Sequence, residues 1–172
     1  MKNYILGVGY FAIFMILLLL AYEVKGYDYN GDRYCLAQNI YFEAANQPEA
    51  GRIAVANVTL NRVADAQFPG TICGVVYDAK LRENWLGQKV PILHQCQFSW
   101  YCDGNSDEVQ NLKSFEKTQK IANLAMLQYS KLKSEGLDYT EGARFYHTYQ
   151  ISPRWSKTFP VVGRIGDHIF YR

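Results

Sequence analysis

At 172 residues, 49% hydrophobic and 20% charged, the chain has material for one core and too little for two ordinary domains. A formal charge of +2 supplies neither the basic field that dominates nucleic-acid binding nor an acidic tail, so nucleic acid is not an expected partner. Four cysteines follow a long apolar N-terminus, a combination that points to export into an oxidising compartment.

In chain order, the first element is that apolar segment. Tyr4 to Tyr22 carries no charged side chain and ends in the run Ile13 to Leu20. As a helix it would be about 28 Å long, close to the roughly 30 Å hydrocarbon core of a bilayer. A signal peptide has a shorter core and a small-x-small cleavage site, which Leu19-Leu20-Ala21 matches poorly. Residues 1–26 are expected to be an uncleaved signal anchor that meets the membrane through residues 4–22, with a cleaved signal peptide as the alternative. Lys2 favours an N-terminus on the inside. Either form puts the remainder in the cell envelope, anchored at the inner membrane or secreted to the periplasm or cell wall. Residues 27–33, with the turn-forming pair Asn30-Gly31, read as a linker. Residues 34–172 read as the functional domain, close to neutral once Lys2, Glu23 and Lys25 are set aside.

Within that domain, Asp32 can cap a helix with Leu36, Ile40 and Ala44 at helical spacing, ending near Ala44-Ala45. Pro48 suits the first turn of a second helix running to about Val63. Pro69-Gly70 breaks the chain before a short helix or turn from Thr71 to Tyr77. Residues 78–105 hold no helical period, and Gln97 to Tyr101 followed by Asp103-Gly104 reads as strand and turn, hence a small hairpin region. A long helical stretch, as one helix or two, starts from a cap at Ser106 or Asp107 and stops at Gly136. Ala143 to Arg172 alternates aromatic and polar residues and predicts short strands. The expected class is α+β, mainly helical, with a small hairpin region behind a transmembrane or signal helix.

Among residues with chemical potential, Glu43 stands at a predicted helix end between aromatic and small apolar neighbours. Partial desolvation there would raise its pKa and suit it to general acid catalysis; the alternative is a solvated helix-end carboxylate. Were Glu49 on the same helix, about 100° per residue would put it about 240° round from Glu43, so the two are not a ready pair. Asp78, Asp103 and Glu141 could join Glu43 only through folding. Gln97, Ser99, Trp100 and Tyr101 combine amide, hydroxyl and aromatic groups suited to sugars, or else complete a core. Tyr146 and His147 could line the same cleft, His147 more plausibly as a hydrogen-bonded core residue. Asn57-Val58-Thr59 matches a glycosylation sequon by chance on a helix.

The run Cys35 to Ala44, then Gly51-Arg52-Ile53-Ala54-Val55-Ala56, Leu60-Asn61-Arg62-Val63 and Phe68 to Tyr77, then Cys96-Gln97-Phe98-Ser99-Trp100, Tyr146-His147 and Ile165 to Tyr171, together resemble the SleB-type cell wall hydrolase family. The resemblance covers roughly residues 34–172. It implies a lysozyme-like, lytic-transglycosylase-like fold and cleavage of peptidoglycan glycan strands between N-acetylmuramic acid and N-acetylglucosamine. Glu43 would be the catalytic acid, with no cofactor or metal and a monomeric protein. The family usually has Arg after Glu-Ala and then Gly-Glu, where this chain has Ala45, Asn46 and Gln47. Retaining and inverting hydrolases use two carboxyl groups, whereas a lytic transglycosylase can use one Glu, which fits a lone Glu43. A lysozyme-type muramidase and a noncatalytic peptidoglycan-binding envelope protein are the alternatives. Cell-wall remodelling, spore germination and phage lysis as an endolysin are all compatible settings.

Cys96 and Cys102 are close enough in sequence for one disulfide, leaving Cys35 with Cys73, one of three possible connectivities. A zinc site built from Cys96, Cys102, His94 and a distant cysteine is the competing reading, without a Cys-x-x-Cys pair to support it. A bridge at Cys35 would anchor the helix that presents Glu43.

Overall fold

The structure, a computed structural model, describes residues 29–172; the expected anchor at residues 4–22 lies outside the described residues. Among those described, no helix is long and apolar enough to cross a membrane.

Helix α1 (Tyr29–Ala44) begins before Asp32, so part of the expected linker is helical. Asp32 does not cap its own helix. Its carboxylate is buried and accepts the backbone N–H of Cys73 at 3.0 Å, satisfying an unpaired donor in the first turn of the short helix α3 (Ile72–Val76). Thr71 caps the same turn by accepting from Gly74 at 3.0 Å. Beside these contacts Cys35 is bonded to Cys73.

Helix α2 (Glu49–Val63) starts directly after Pro48 and is buried continuously from Ala54 to Arg62. Such a helix, covered on all sides, is the centre of its domain. Helix α4 (Leu112–Ser134) lies against α1 and α2, burying Phe115, Thr118, Ile121, Ala122 and Ala125 at helical spacing. Its cap is Asn111, whose side chain accepts from Ser114 at 2.9 Å, rather than Ser106 or Asp107. Those two residues belong to a loop held on α1, where Gln38 donates to the Asp107 carbonyl at 3.1 Å. Gly136, with φ 68°, follows the helix end.

Strands β1 (Ala79–Glu83) and β2 (Lys89–Cys96) form an antiparallel hairpin. The hairpin thus precedes Gln97, and Ser99–Cys102 is a 3₁₀ turn, correcting the expected strand at Gln97 to Tyr101. The Cys96–Cys102 bridge closes this segment into a tight loop, and Trp100 and Cys102 turn into the core. The second sheet joins β3 (Phe145–Thr148), β4 (Val161–Ile165) and β5 (His168–Tyr171) in the order β3-β5-β4, all antiparallel. Gly166 and Asp167 connect β4 to β5, and Gly166 has φ 61°. Gln47 clasps this turn, accepting from the Asp167 N–H at 2.9 Å and donating to its carboxylate at 3.1 Å. The positive φ favours glycine at 166, and a Cβ there would lie 2.5 Å from the Gln47 Oε1 and displace the clasp. The architecture is a mixed helix-and-strand domain, with a main core centred on Leu36, Ile40, Val75, Val76 and Phe98 and a smaller one of Ala54, Val58, Ala143 and Phe170.

Candidate active site

Glu43 occupies the last turn of α1, where the final helix carbonyls disfavour negative charge. Its side chain faces a cleft of about 350 Å³ whose other walls include Arg62 from α2, Gln97, Phe98 and Ser99 from the bridged loop, Tyr146 from β3 and His168 from β5. Burial pushes the Glu43 carboxyl above the ordinary carboxylate range. Two neighbours work in the opposite direction: the Tyr146 hydroxyl, which donates to Oε2 at 3.1 Å, and the positive charge of Arg62. Among the described residues, Glu43 is the one carboxylate lining the cleft. Glu49 is exposed at the start of α2, Glu141 pairs with Arg172 at 3.6 Å, and Asp103 accepts from the Asn105 N–H at 2.8 Å.

Arg62 is 5% exposed. Its Nε donates to the Arg144 carbonyl at 2.8 Å, and its guanidinium carbon lies 4.9 Å from the Phe98 ring, 5.4 Å from Phe68 and 5.8 Å from Phe145. This aromatic cage holds a cation in place largely without hydrogen bonds, and the buried Nη1 has no partner. Burial lowers the Arg62 pKa, and the nearby Tyr146, Glu43 and Asp78 oppose that shift. A guanidinium stays protonated in proteins, so a fixed positive charge sits beside Glu43 without a direct ion pair.

Tyr146 is held in turn by His168, whose ring stands edge-on at 5.0 Å, and by Phe170 at 5.6 Å. Burial pushes the Tyr146 hydroxyl well above its usual range and lowers the pKa of His168, so at neutral pH the first is a hydrogen-bond donor and the second a neutral imidazole. His147 is engaged structurally. Its Nδ1 lies 2.9 Å from the Thr148 carbonyl and its Nε2 2.7 Å from the Tyr171 hydroxyl. A carbonyl only accepts, so Nδ1 carries a hydrogen, and Nε2 is hydrogen-bonded with the Tyr171 hydroxyl.

Of the residues expected to contact substrate, Gln97, Ser99 and Tyr146 line the cleft. Trp100 and Tyr101 do not. Trp100 is 7% exposed, stacks on Phe42 at 4.6 Å and donates to Asn39 at 3.0 Å; Tyr101 packs against Tyr77 at 4.9 Å. Arg62 and His168 were not singled out from sequence as site residues, although a charged residue inside the buried stripe of α2 was a usable signal for Arg62. Both expected disulfides are present, and among the described residues no group of His, Cys, Asp and Glu is arranged to hold a metal ion. Asn57 is buried and donates to Asp138 at 3.0 Å, so its sequon is inaccessible.

The chain resembles spore cortex-lytic enzymes. It is 30% identical to that of Bacillus cereus over 147 residues, covering 85% of this chain and 46% of the relative. It is 28% identical to that of Bacillus subtilis over 152 residues, covering 88% and 41%. The chain therefore spans less than half the length of these relatives. Among solved structures, it matches the catalytic domain of Bacillus cereus SleB with TM-score 0.57 and 27% identity, covering 86% of this chain and 94% of that one. The catalytic domain of the germination-specific lytic transglycosylase SleB from Bacillus anthracis matches with TM-score 0.60 and 28% identity, covering 86% and 98%. The cell wall hydrolase family model matches residues 46–171, beginning just after Glu43. With the matched segment comprising most of the folded domain, the chain belongs to the cell wall hydrolase family.

Proposed function

We propose that this domain is a lytic transglycosylase that cleaves peptidoglycan between N-acetylmuramic acid and N-acetylglucosamine, with Glu43 as both acid and base. The observation that carries this reading is a single buried carboxylate in a cleft otherwise lined by a caged arginine, amide and hydroxyl groups and aromatic rings. In the first step Glu43 gives its proton to the glycosidic oxygen as the bond to the muramic acid C1 breaks, releasing the N-acetylglucosamine hydroxyl. In the second, the Glu43 carboxylate takes the proton from the muramic acid 6-hydroxyl, whose oxygen bonds to C1. A 1,6-anhydro end forms, no water is consumed and Glu43 is again protonated. Burial favours the acid form that opens the cycle, while Tyr146 and Arg62 stabilise the carboxylate between the two steps.

A helix-borne glutamate facing a cleft walled in part by a small sheet also supports the lysozyme-like fold expectation. The domain would act as a monomer in the cell envelope, anchored or exported through residues 1–26. Purified cell walls treated with the protein and with Glu43→Gln test the assignment: lysis by the first and none by the second is expected. Full lysis by Glu43→Gln would remove it. Hydrated muramic ends would indicate a lysozyme-type muramidase, and binding without any cleavage a noncatalytic glycan-binding protein.

A further inference from the structure

Strands β1 and β2 pair out of step at one place. Ala79 lies opposite Cys96 and Leu81 opposite Pro91, which leaves Lys80 facing the whole stretch from Ile92 to Gln95. Within that stretch His94 has φ 58°, in the left-handed region that few non-glycine residues adopt. Bulges bend a strand and re-aim its side chains, and they gather beside active sites.

Here the bulge borders a second cavity of about 370 Å³ lined by Asp78, Ala79, Lys80, Gln95, Cys96 and Gln97. Cys96 and Gln97 also line the cleft of Glu43, so the two hollows adjoin and share a wall. That wall is fixed: Cys96 is bridged to Cys102, and the Gln97 N–H donates to the Asp78 carbonyl at 2.9 Å. The side chains of Asp78, Lys80, Gln95 and Gln97 make no hydrogen bond or ion pair with other described residues, and Lys80, Gln95 and Gln97 are exposed. A carboxylate, an ammonium group and two carboxamides, all unspent, suit the hydroxyl and acetamido groups of a sugar rather than an apolar ligand. A polymer cleaved at Glu43 must also continue beyond the catalytic cleft.

We propose that the cavity beneath the β1–β2 bulge is a distal sugar subsite that grips the glycan strand beyond the sugars flanking the bond cleaved at Glu43. The proposal rests on the peptidoglycan reading above. Its test is binding of peptide-free glycan strands, measured calorimetrically on the full domain carrying Glu43→Gln so that no strand is consumed. Adding Lys80→Ala and Gln95→Ala should lower the ratio of long-strand to tetrasaccharide affinity about tenfold, the effect of losing one or two hydrogen bonds. An unchanged ratio, or an equal loss for both lengths, would overturn the subsite. Failure of the unaltered protein to cleave cell walls would remove the transglycosylase reading, while this ratio would still decide the subsite. An unchanged melting profile separates a lost contact from a misfolded hairpin.

Discussion

In the proposed reaction Glu43 must hold a proton before the glycosidic bond breaks and release it afterwards, and its surroundings divide along those two needs. Burial raises its pKa, whereas the Tyr146 hydroxyl and the Arg62 charge restrain the rise. The same balance makes a stability prediction. A carboxyl whose pKa is higher folded than unfolded binds its proton more tightly in the native state, so its favourable contribution is complete below the unfolded value of about 4.3 and is lost as pH rises through the folded one. Glu43→Gln cannot ionise. It should therefore be inactive yet melt at a higher temperature relative to the parent as pH increases through that window, with no such gain at lower pH. A gain that shrinks with rising pH would contradict a desolvated Glu43. Arg62→Met removes a positive charge beside the carboxyl, and Tyr146→Phe removes its hydrogen-bond donor. Each should move the alkaline limb of kcat/KM to higher pH, because Glu43 then stays protonated further up the scale. Tyr146→Phe should also lower kcat/KM about tenfold, the scale of one lost hydrogen bond to a charged group. An unmoved limb in both variants would disconnect these residues from Glu43.

At the scale of elements, the two disulfides have different tasks. Cys35–Cys73 closes 38 residues and ties the helix bearing Glu43 to α3; Cys96–Cys102 closes six and holds the loop with Gln97, Phe98 and Ser99. Loop-closure entropy predicts a loss of about 4 kcal/mol without the first bridge and about 2 kcal/mol without the second. Alanine pairs at each bridge, compared by urea unfolding and by wall lysis, should show the larger stability loss at Cys35–Cys73 and the larger activity loss per unit of stability at Cys96–Cys102. The reverse order would mean that the bridged loop does not shape the cleft. Helical spacing made α4 legible in sequence because its buried residues recur every three or four positions, whereas α1 and α2, buried over continuous stretches, were marked by the apolar residues and by Pro48 at the start of α2. The bridged loop was less legible: amide and aromatic residues serve a core and a sugar cleft equally well, and only the 3₁₀ turn determines that Ser99 faces the cleft while Trp100 stacks on Phe42. The cap of α4 falls at Asn111 rather than at Ser106 or Asp107 for a related reason, since the Asp107 carbonyl accepts from Gln38 of a different helix and its loop is held there.

Across the whole molecule, the cleft is assembled from α1, α2, the bridged loop and the small sheet, elements distant in sequence. Glu43 could be picked out from its neighbours alone; that no second carboxylate among the described residues lines its cleft could not, because only the folded chain carries Glu49 and Glu141 elsewhere and Asp78 to the adjoining cavity. The same holds for Arg62, whose cage draws on Phe68, Phe98 and Phe145 from three segments. Gln47, a departure from the usual family pattern, gains its meaning from Asp167 on the β4–β5 turn, which it holds against the start of α2. One buried carboxylate, with no second lining the same cleft among the described residues, is the feature from which the proposed reaction follows. Mass spectrometry of the soluble fragments released from purified peptidoglycan tests it most directly. Fragments ending in 1,6-anhydro-muramic acid, absent with Glu43→Gln, are the expected result; hydrated reducing ends, or undiminished release by Glu43→Gln, would contradict Glu43 as the sole acid and base.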